Sequence, residues 1–365
     1  MKYWSEKAKN IIAYDNNNNI IGNGISGDWI RLDTTNSPHS PPRAFAKQLR
    51  QTRDVMSPSP LSDEVRFGVF LQLKLQNLDK QGINIDNIFV SNSPAAVLAH
   101  SFAAFFSGRT EVLIPQVSHR SIGGLLSIYD IRAKLVRGDN FEIFPSDYAN
   151  SQGVVISNPS DITGMALGLD KIDKILRNNT GGVVIIDETY IGFSNVPSAV
   201  SLVPYYDNLL VIKSIFKAYS AGGLNTSYAV GSNNLIEALR RVQIHLNPQP
   251  LGIFEQIMAS YALQDTSYDK SVCMRIAQAR DKYSDELTKI GYELYNSQAN
   301  FMFVKIGANA RLLYEYLIRN KVLVYYRNEI RFFMRITIGT DEQMRRLISL
   351  IKRFNRPSKG DHSLT

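Results

Sequence analysis

The sequence predicts an α/β protein organised around a mainly parallel sheet. Three observations carry that expectation. Apolar runs of strand length alternate with stretches of helical period from residue 61 to about 250. Several of these runs, among them Val183-Val-Ile-Ile186 and Leu209-Leu-Val-Ile212, are wholly apolar, as strands covered on both faces are. Past about residue 250 the register changes to a long helical pattern followed by mixed helices and strands.

In chain order, residues 1–60 hold polar stretches such as Asn16-Asn-Asn-Asn19 and the prolines Pro38, Pro41, Pro42, Pro58 and Pro60. They predict an extended arm and loops with little regular structure. A helix is expected over Asp63 to Leu78, then a strand at Ile88 to Val90 and a helix over Ala95 to Phe106. The strand at Glu111 to Ile114 is followed by a helix over Ser121 to Ile128, and that at Gly153 to Ile156 by a helix over Leu169 to Arg177. Strands at 183–186, 209–212 and Tyr228 to Val230 complete the series, with a helix over Asn234 to Ile244 after them. Such alternation places helices on both faces of the sheet. The second register predicts one long helix from Phe254 to Leu287, then a strand at Asn300 to Val304 and a helix over Ala310 to Asn320. Strands at Val322 to Val324 and Arg331 to Ile338 precede a last helix, Asp341 to Phe354. The expected division is an arm at 1–60 that completes part of the small domain, a large domain at 61–250, a small α+β domain at 251–356 and a disordered tail at 357–365.

At 365 residues, 44% hydrophobic and 20% charged, the composition is that of a globular protein with more than one core. No apolar run reaches the roughly 18 residues of a membrane span, and the first ten residues lack the apolar stretch of a signal peptide. The one cysteine, Cys273, excludes an internal disulfide and suits a reducing, cytoplasmic setting. The net charge of +8 could serve nucleic acid, but no recognition motif or aromatic-basic repeat accompanies it. No nucleic-acid partner, membrane association or metal is expected, because the five histidines show no ligand spacing.

Two apolar runs end in reactive groups. Val183-Val-Ile-Ile-Asp187-Glu-Thr-Tyr190 presents a carboxylate and a phenol, and Val211-Ile-Lys-Ser-Ile-Phe-Lys217 presents a lysine ahead of the small-residue stretch Ala218-Tyr-Ser-Ala-Gly-Gly. Strand ends of an open α/β sheet line one crevice. A lysine and an aspartate converging there suit pyridoxal 5′-phosphate (PLP): the amine forms a Schiff base, and the carboxylate pairs with the pyridinium nitrogen. Arg335, within the otherwise apolar Phe332-Phe-Met-Arg-Ile-Thr-Ile, calls for an anionic partner, and its planar fork fits a carboxylate.

Asp187-Glu-Thr-Tyr190-Ile-Gly-Phe193, then Ser214-Ile-Phe-Lys217-Ala-Tyr-Ser-Ala-Gly-Gly-Leu-Asn225, resembles the fold-type I PLP-dependent aminotransferases, the histidinol-phosphate aminotransferase-like group in particular. Ser157-Asn-Pro-Ser-Asp-Ile-Thr-Gly164, Gln298-Ala-Asn300 and Met334-Arg335-Ile-Thr-Ile-Gly-Thr340 follow in the family's order, over about residues 30–350. The resemblance implies a seven-stranded sheet with a small α+β domain, and a homodimer. It also implies transfer of an amino group between an amino acid (or amino-alcohol phosphate) and a 2-oxo acid, in amino-acid biosynthesis. On that likeness Lys217 carries the internal aldimine and moves the proton, while Asp187 and Tyr190 tune the ring. Asp161 stands beside the ring oxygen, Ser93, Ser214 and Asn225 stand near the cofactor phosphate, and Arg335 with Asn300 holds the substrate carboxylate.

The chain departs from the family pattern at the phosphate. Phe216 replaces a serine, Asn225 an arginine, and Pro94 interrupts a glycine-rich turn, with Arg120 or Lys213 as candidate replacement cations. The family's stacking aromatic falls near Val117 or His119, and the tyrosine its partner subunit contributes falls near Ser57. These departures keep two alternatives open: a catalytically lapsed homodimer acting as a binding scaffold, and a related PLP decarboxylase.

Overall fold

The computed structural model describes residues 29–40, 62–106, 110–118, 120–217 and 224–356, together with Lys9 and Lys47. Ser57, His119 and the tail from residue 357 lie outside the described residues.

A seven-stranded sheet forms the centre. Its strands are β2 (Ile88–Ser91), β3 (Glu111–Pro115), β4 (Arg132–Val136), β5 (Gly153–Ser157), β6 (Val183–Asp187), β7 (Leu209–Ser214) and β8 (Ser227–Gly231). They lie in the order β2-β8-β7-β6-β5-β3-β4. Only β8 runs against its neighbours; the remaining pairs are parallel. Alternate residues go to opposite faces, so the wholly apolar runs feed two cores. Val184, Ile186, Leu209 and Val211 pack under α1 (Ser62–Leu75) and α4 (Leu169–Arg177). Ile185, Leu210, Ile212, Ala229 and Phe89 pack under α2 (Pro94–Phe105), α3 (Arg120–Ile128) and α5 (Asn233–Leu246).

The second part carries a sheet of order β12-β10-β9, formed by β9 (Glu293–Leu294), β10 (Phe301–Lys305) and β12 (Phe333–Thr337). A parallel pair, β1 (Ile30–Leu32) with β11 (Val322–Val324), joins it through the Tyr325–Arg335 bridge. These strands share a core with α7 (Thr266–Ile290), α8 (Ala310–Arg319) and α9 (Asp341–Phe354), and Leu32 and Tyr190 belong to it.

Three expectations need correction. The strand β4 was not anticipated: Arg-Ala-Lys-Leu-Val is an edge strand exposed over its first four residues, so no apolar run marks it. The single helix expected over 254–287 is two, α6 (Ile253–Gln264) and α7, because Asp265 breaks the pattern and caps the second by accepting from Tyr268 N at 3.2 Å. Within 1–60, read as arm and loop, Ile30–Leu32 is a strand that completes the small sheet's flank. Among the described residues no helix is long and apolar enough to cross a membrane.

Candidate active site

The reactive strand ends converge. Asp187 ends β6, and its backbone oxygen accepts from Asn158 N at 2.8 Å, where β5 ends beside it. One carboxylate oxygen, Oδ1, accepts from both Thr189 N (2.9 Å) and Thr189 Oγ1 (2.6 Å). These two donors fix the carboxylate's orientation. Lys217 follows β7, one strand over, close enough for Asp187 to act on its charge.

Lys217 Nζ lies 4.9 Å from the centre of the Tyr190 ring and donates to Thr35 Oγ1 at 2.7 Å. The Tyr190 hydroxyl donates to the same Thr35 oxygen at 3.2 Å. Burial, and then the positive charge of Arg335, push the Lys217 amine down to about 8, with Asp187 pulling the other way. Burial pushes the Tyr190 phenol up to about 12, against the pull of Arg335 and the Thr35 hydrogen bond. A free amine is therefore available within about a unit of neutrality, and the phenol stays a donor.

Arg335 reaches the site from β12. Its Nη1 donates to Asp161 O at 2.6 Å and its Nη2 to Asp33 O at 3.4 Å. The guanidinium stacks on Tyr325, 4.1 Å from the ring centre, and on Phe301 at 5.0 Å. Asn300, just before β10, donates from Nδ2 to Thr35 O at 2.8 Å. Arg335 Nε and Asn300 Oδ1 are buried with no hydrogen-bond partner among the described residues. A buried guanidinium with a donor unmet among the described residues, resting against two aromatic rings, is built to receive an anion. Asp161 is buried, and its charge acts on Tyr190.

The small sheet meets the large one at Gly164. Its φ is +74°, and a Cβ there would lie 2.0 Å from Ser297 Oγ, so both the turn and the close approach require glycine. Gln298 N donates to Gly164 O at 2.6 Å across the same contact.

A second polar region lies at the ends of β2, β7 and β8. Ser91, Ser227 and Ser214 are directly opposite one another in register, so all three side chains share a face. It is the face covered by α2, since Phe89, Ala229 and Ile212, two residues along, pack there. Ser93 caps α2, accepting from Ala96 N at 3.1 Å. The hydroxyls of Ser91 and Ser227 are buried without a partner among the described residues. Ser214 is half-buried, whereas Asn225 is exposed. Lys213 is not a replacement cation at that face. Its neighbours in β7 alternate, so it points to the other side, with Nζ 3.8 Å from Glu188 Oε2. Glu188 is itself buried and accepts from Ala199 N at 2.6 Å and from Ser198 Oγ. Arg120 begins α3, and its side chain lies outside the described residues.

Sequence reasoning missed Thr35, Thr189 and Glu188. Thr189 and Glu188 sit inside the motif that drew attention to Asp187, so only a role was missing. Thr35 lies in a proline-flanked stretch with no periodicity to mark it. Val117, proposed as the stacking position, lines a cavity of about 160 Å³ together with Ser157 and Asp161.

A family profile described as "Aminotransferase class I and II" matches residues 28–351. The chain is similar to the histidinol-phosphate aminotransferase of Acinetobacter baylyi, 32% identical over 367 residues that cover 97% of this chain and 98% of the relative. It is equally similar to the protein of that name from Brachyspira hyodysenteriae, 32% identical over 359 residues covering 96% and 98%. Among solved structures it resembles the histidinol-phosphate aminotransferase of Sinorhizobium meliloti in complex with pyridoxal-5′-phosphate, with a TM-score of 0.84 at 15% identity, covering 97% and 99%. It also resembles the aspartate aminotransferase of Thermus thermophilus with maleate, with a TM-score of 0.82 at 16% identity, covering 97% and 100%. At such identities the structural likeness speaks for the fold.

Proposed function

The chain belongs to the class I and II aminotransferases, and from that premise we propose how its residues divide the work. It is a PLP-dependent aminotransferase, and the proposal concerns Lys217, Asp187, Tyr190, Asp161, Arg335 and Asn300. When bound, PLP supplies an aldehyde carbon for an amine and a ring that draws electrons from the substrate α-carbon.

The residues present fit that group. Lys217 is a buried amine with a lowered proton affinity, so it can act as a nucleophile and later accept or return the α-proton at Nζ. Asp187, oriented by Thr189, offers its other oxygen to a protonated ring nitrogen. Tyr190 keeps its proton and donates it towards a ring oxygen, beside Asp161. Arg335 and Asn300 hold the substrate carboxylate, which fixes the α-carbon against Lys217. Ser93, Ser214 and the hydroxyls of Ser91 and Ser227, which have no partner among the described residues, lie where a phosphate at the start of α2 would find donors. Asn225, exposed, would contribute least.

The observation that carries this reading is the meeting of four residues around Thr35: Lys217 and Tyr190 at its hydroxyl, Asn300 at its carbonyl, and Arg335 two residues away at the Asp33 carbonyl. The amino donor is an amino acid or an amino-alcohol phosphate, the acceptor a 2-oxo acid. We take the site to lie between a large domain at 61–250 and a small one at 251–356, in a cytoplasmic homodimer. Phe67, Leu71 and Leu75, an exposed stripe on one side of α1, support a subunit face. The test is a titration of purified protein with PLP. A near-visible absorption band should grow and vanish in Lys217→Ala, and an added amino acid should bleach it with release of its 2-oxo acid. Protein that stays colourless would overturn the reading in favour of a scaffold, and release of carbon dioxide in favour of decarboxylation.

A further inference from the structure

We propose that Thr35 is a positioning residue of this enzyme, holding the Lys217 amine against Tyr190 and tying it to the residues that receive the substrate carboxylate. The proposal rests on the assignment of Lys217 above.

The geometry is specific. Thr35 Oγ1 accepts two hydrogen bonds, from Lys217 Nζ at 2.7 Å and from the Tyr190 hydroxyl at 3.2 Å. With both lone pairs engaged, its own proton is free to donate elsewhere. A hydroxyl that accepts from two neighbours fixes the distance between them, and here it seats the amine beside the ring of Tyr190, 4.9 Å from its centre. The segment bearing Thr35 is itself held at three consecutive carbonyls. Arg335 Nη2 donates to Asp33 O, Thr337 Oγ1 to Thr34 O, and Asn300 Nδ2 to Thr35 O. The Asp33 side chain adds a paired contact with Arg31, 2.7 and 2.9 Å. A load on Arg335 or Asn300 is thus transmitted to the oxygen that holds the amine. An arriving carboxylate competes with the Asp33 and Thr35 carbonyls for these donors, so its binding loosens the seat of Lys217 as the amine is needed.

The contact also bears on proton affinity. An oxygen that accepts from an ammonium stabilises the charged form. The charged and titratable groups facing Lys217 are Asp187 from β6, Arg335 from β12 and Tyr190, with Asp161 beyond Tyr190. Removing the Thr35 hydroxyl leaves Asp187, Arg335 and Asp161 in place; it also takes a hydrogen bond from Tyr190, whose phenol stays neutral and so adds no change of charge beside Lys217.

The experiment follows the rate at which cofactor-stripped protein develops its near-visible band on mixing with PLP, across a range of pH. The midpoint of that profile reports the Lys217 amine, and it is a property of loading rather than of turnover. In Thr35→Val, which keeps the shape and removes the acceptor, the midpoint should fall by about one pH unit, and Thr35→Ser should restore it. Should Thr35→Val fail to fold, Thr35→Ala is read on the same midpoint. A midpoint equal to that of the unaltered protein, or a rate reduced equally at every pH, would overturn the inference and leave Thr35 a structural residue. Absence of any Lys217-dependent band in the unaltered protein would instead defeat the underlying assignment.

Discussion

At one end of the site Lys217, Tyr190 and Asn300 spend their donors on Thr35, while at the other the hydroxyls of Ser91 and Ser227 have no partner among the described residues. At the amine end these three donors are met from within the chain, and their groups are already aimed. The hydroxyl end carries buried donors whose desolvation is not repaid among the described residues. Changes at the first end should therefore act on chemistry, and changes at the second should trade stability against binding.

The largest effect is expected at the amine end. Lys217→Ala should abolish the absorption band and lower kcat by about 10⁴-fold, because nucleophile and proton carrier disappear together. A variant that kept its band would move the covalent site elsewhere. Next comes Arg335→Ala, which should raise KM for the amino donor by about 10²-fold, as the loss of a charge-assisted pair costs about 1.5–3 kcal/mol per hydrogen bond. If kcat fell while KM held, Arg335 would be acting on the transition state or through Thr35 rather than as a carboxylate clamp.

The contrast between the two ends is tested most directly by Ser91→Ala combined with Ser227→Ala. Calorimetry of the cofactor-free double variant should show it no less stable, and up to about 1–3 kcal/mol more stable at each site, since an unmet buried hydroxyl has been removed. Its affinity for PLP should nonetheless fall by about tenfold, with that for pyridoxal, which lacks the phosphate, unchanged. Equal losses for both ligands would place the serines away from the phosphate.

The smallest effect concerns the face opposite the serines. Asp269 is pushed up to about 6 by burial, against the pull of Lys213 and Lys270, from an ordinary value of 3.8. Between these values the folded chain binds the proton that the unfolded chain has lost, so stability falls as pH rises through this window. Chemical denaturation of Asp269→Asn should show a shallower fall over the same range. An unchanged slope would assign the pH dependence to other groups.

Much of this was legible in the linear chain. The fully apolar strands marked the sheet, and the residues that end them marked Lys217 and Asp187 as candidates, because a buried strand tolerates almost nothing polar except at its exit. Arg335 was legible for the complementary reason, a lone charge in an apolar run. The edge strand β4 was not, since alternating arginine and lysine at an exposed border resemble any solvated segment. Nor was the fate of Lys213, for a lysine next to the last residue of a strand gives no hint of which face it will take until the register is known.

The sequence by itself determined the class of fold and which residues are candidates for the chemistry, because burial periodicity and residue chemistry are local properties. Only the tertiary structure decided who meets whom. It brought Thr35 to Lys217 across 182 positions of chain, turned Lys213 away from the serine face, and left two hydroxyls beneath α2 without partners among the described residues. Contacts of that kind depend on strand order and on the docking of two sheets, which no short window of residues encodes.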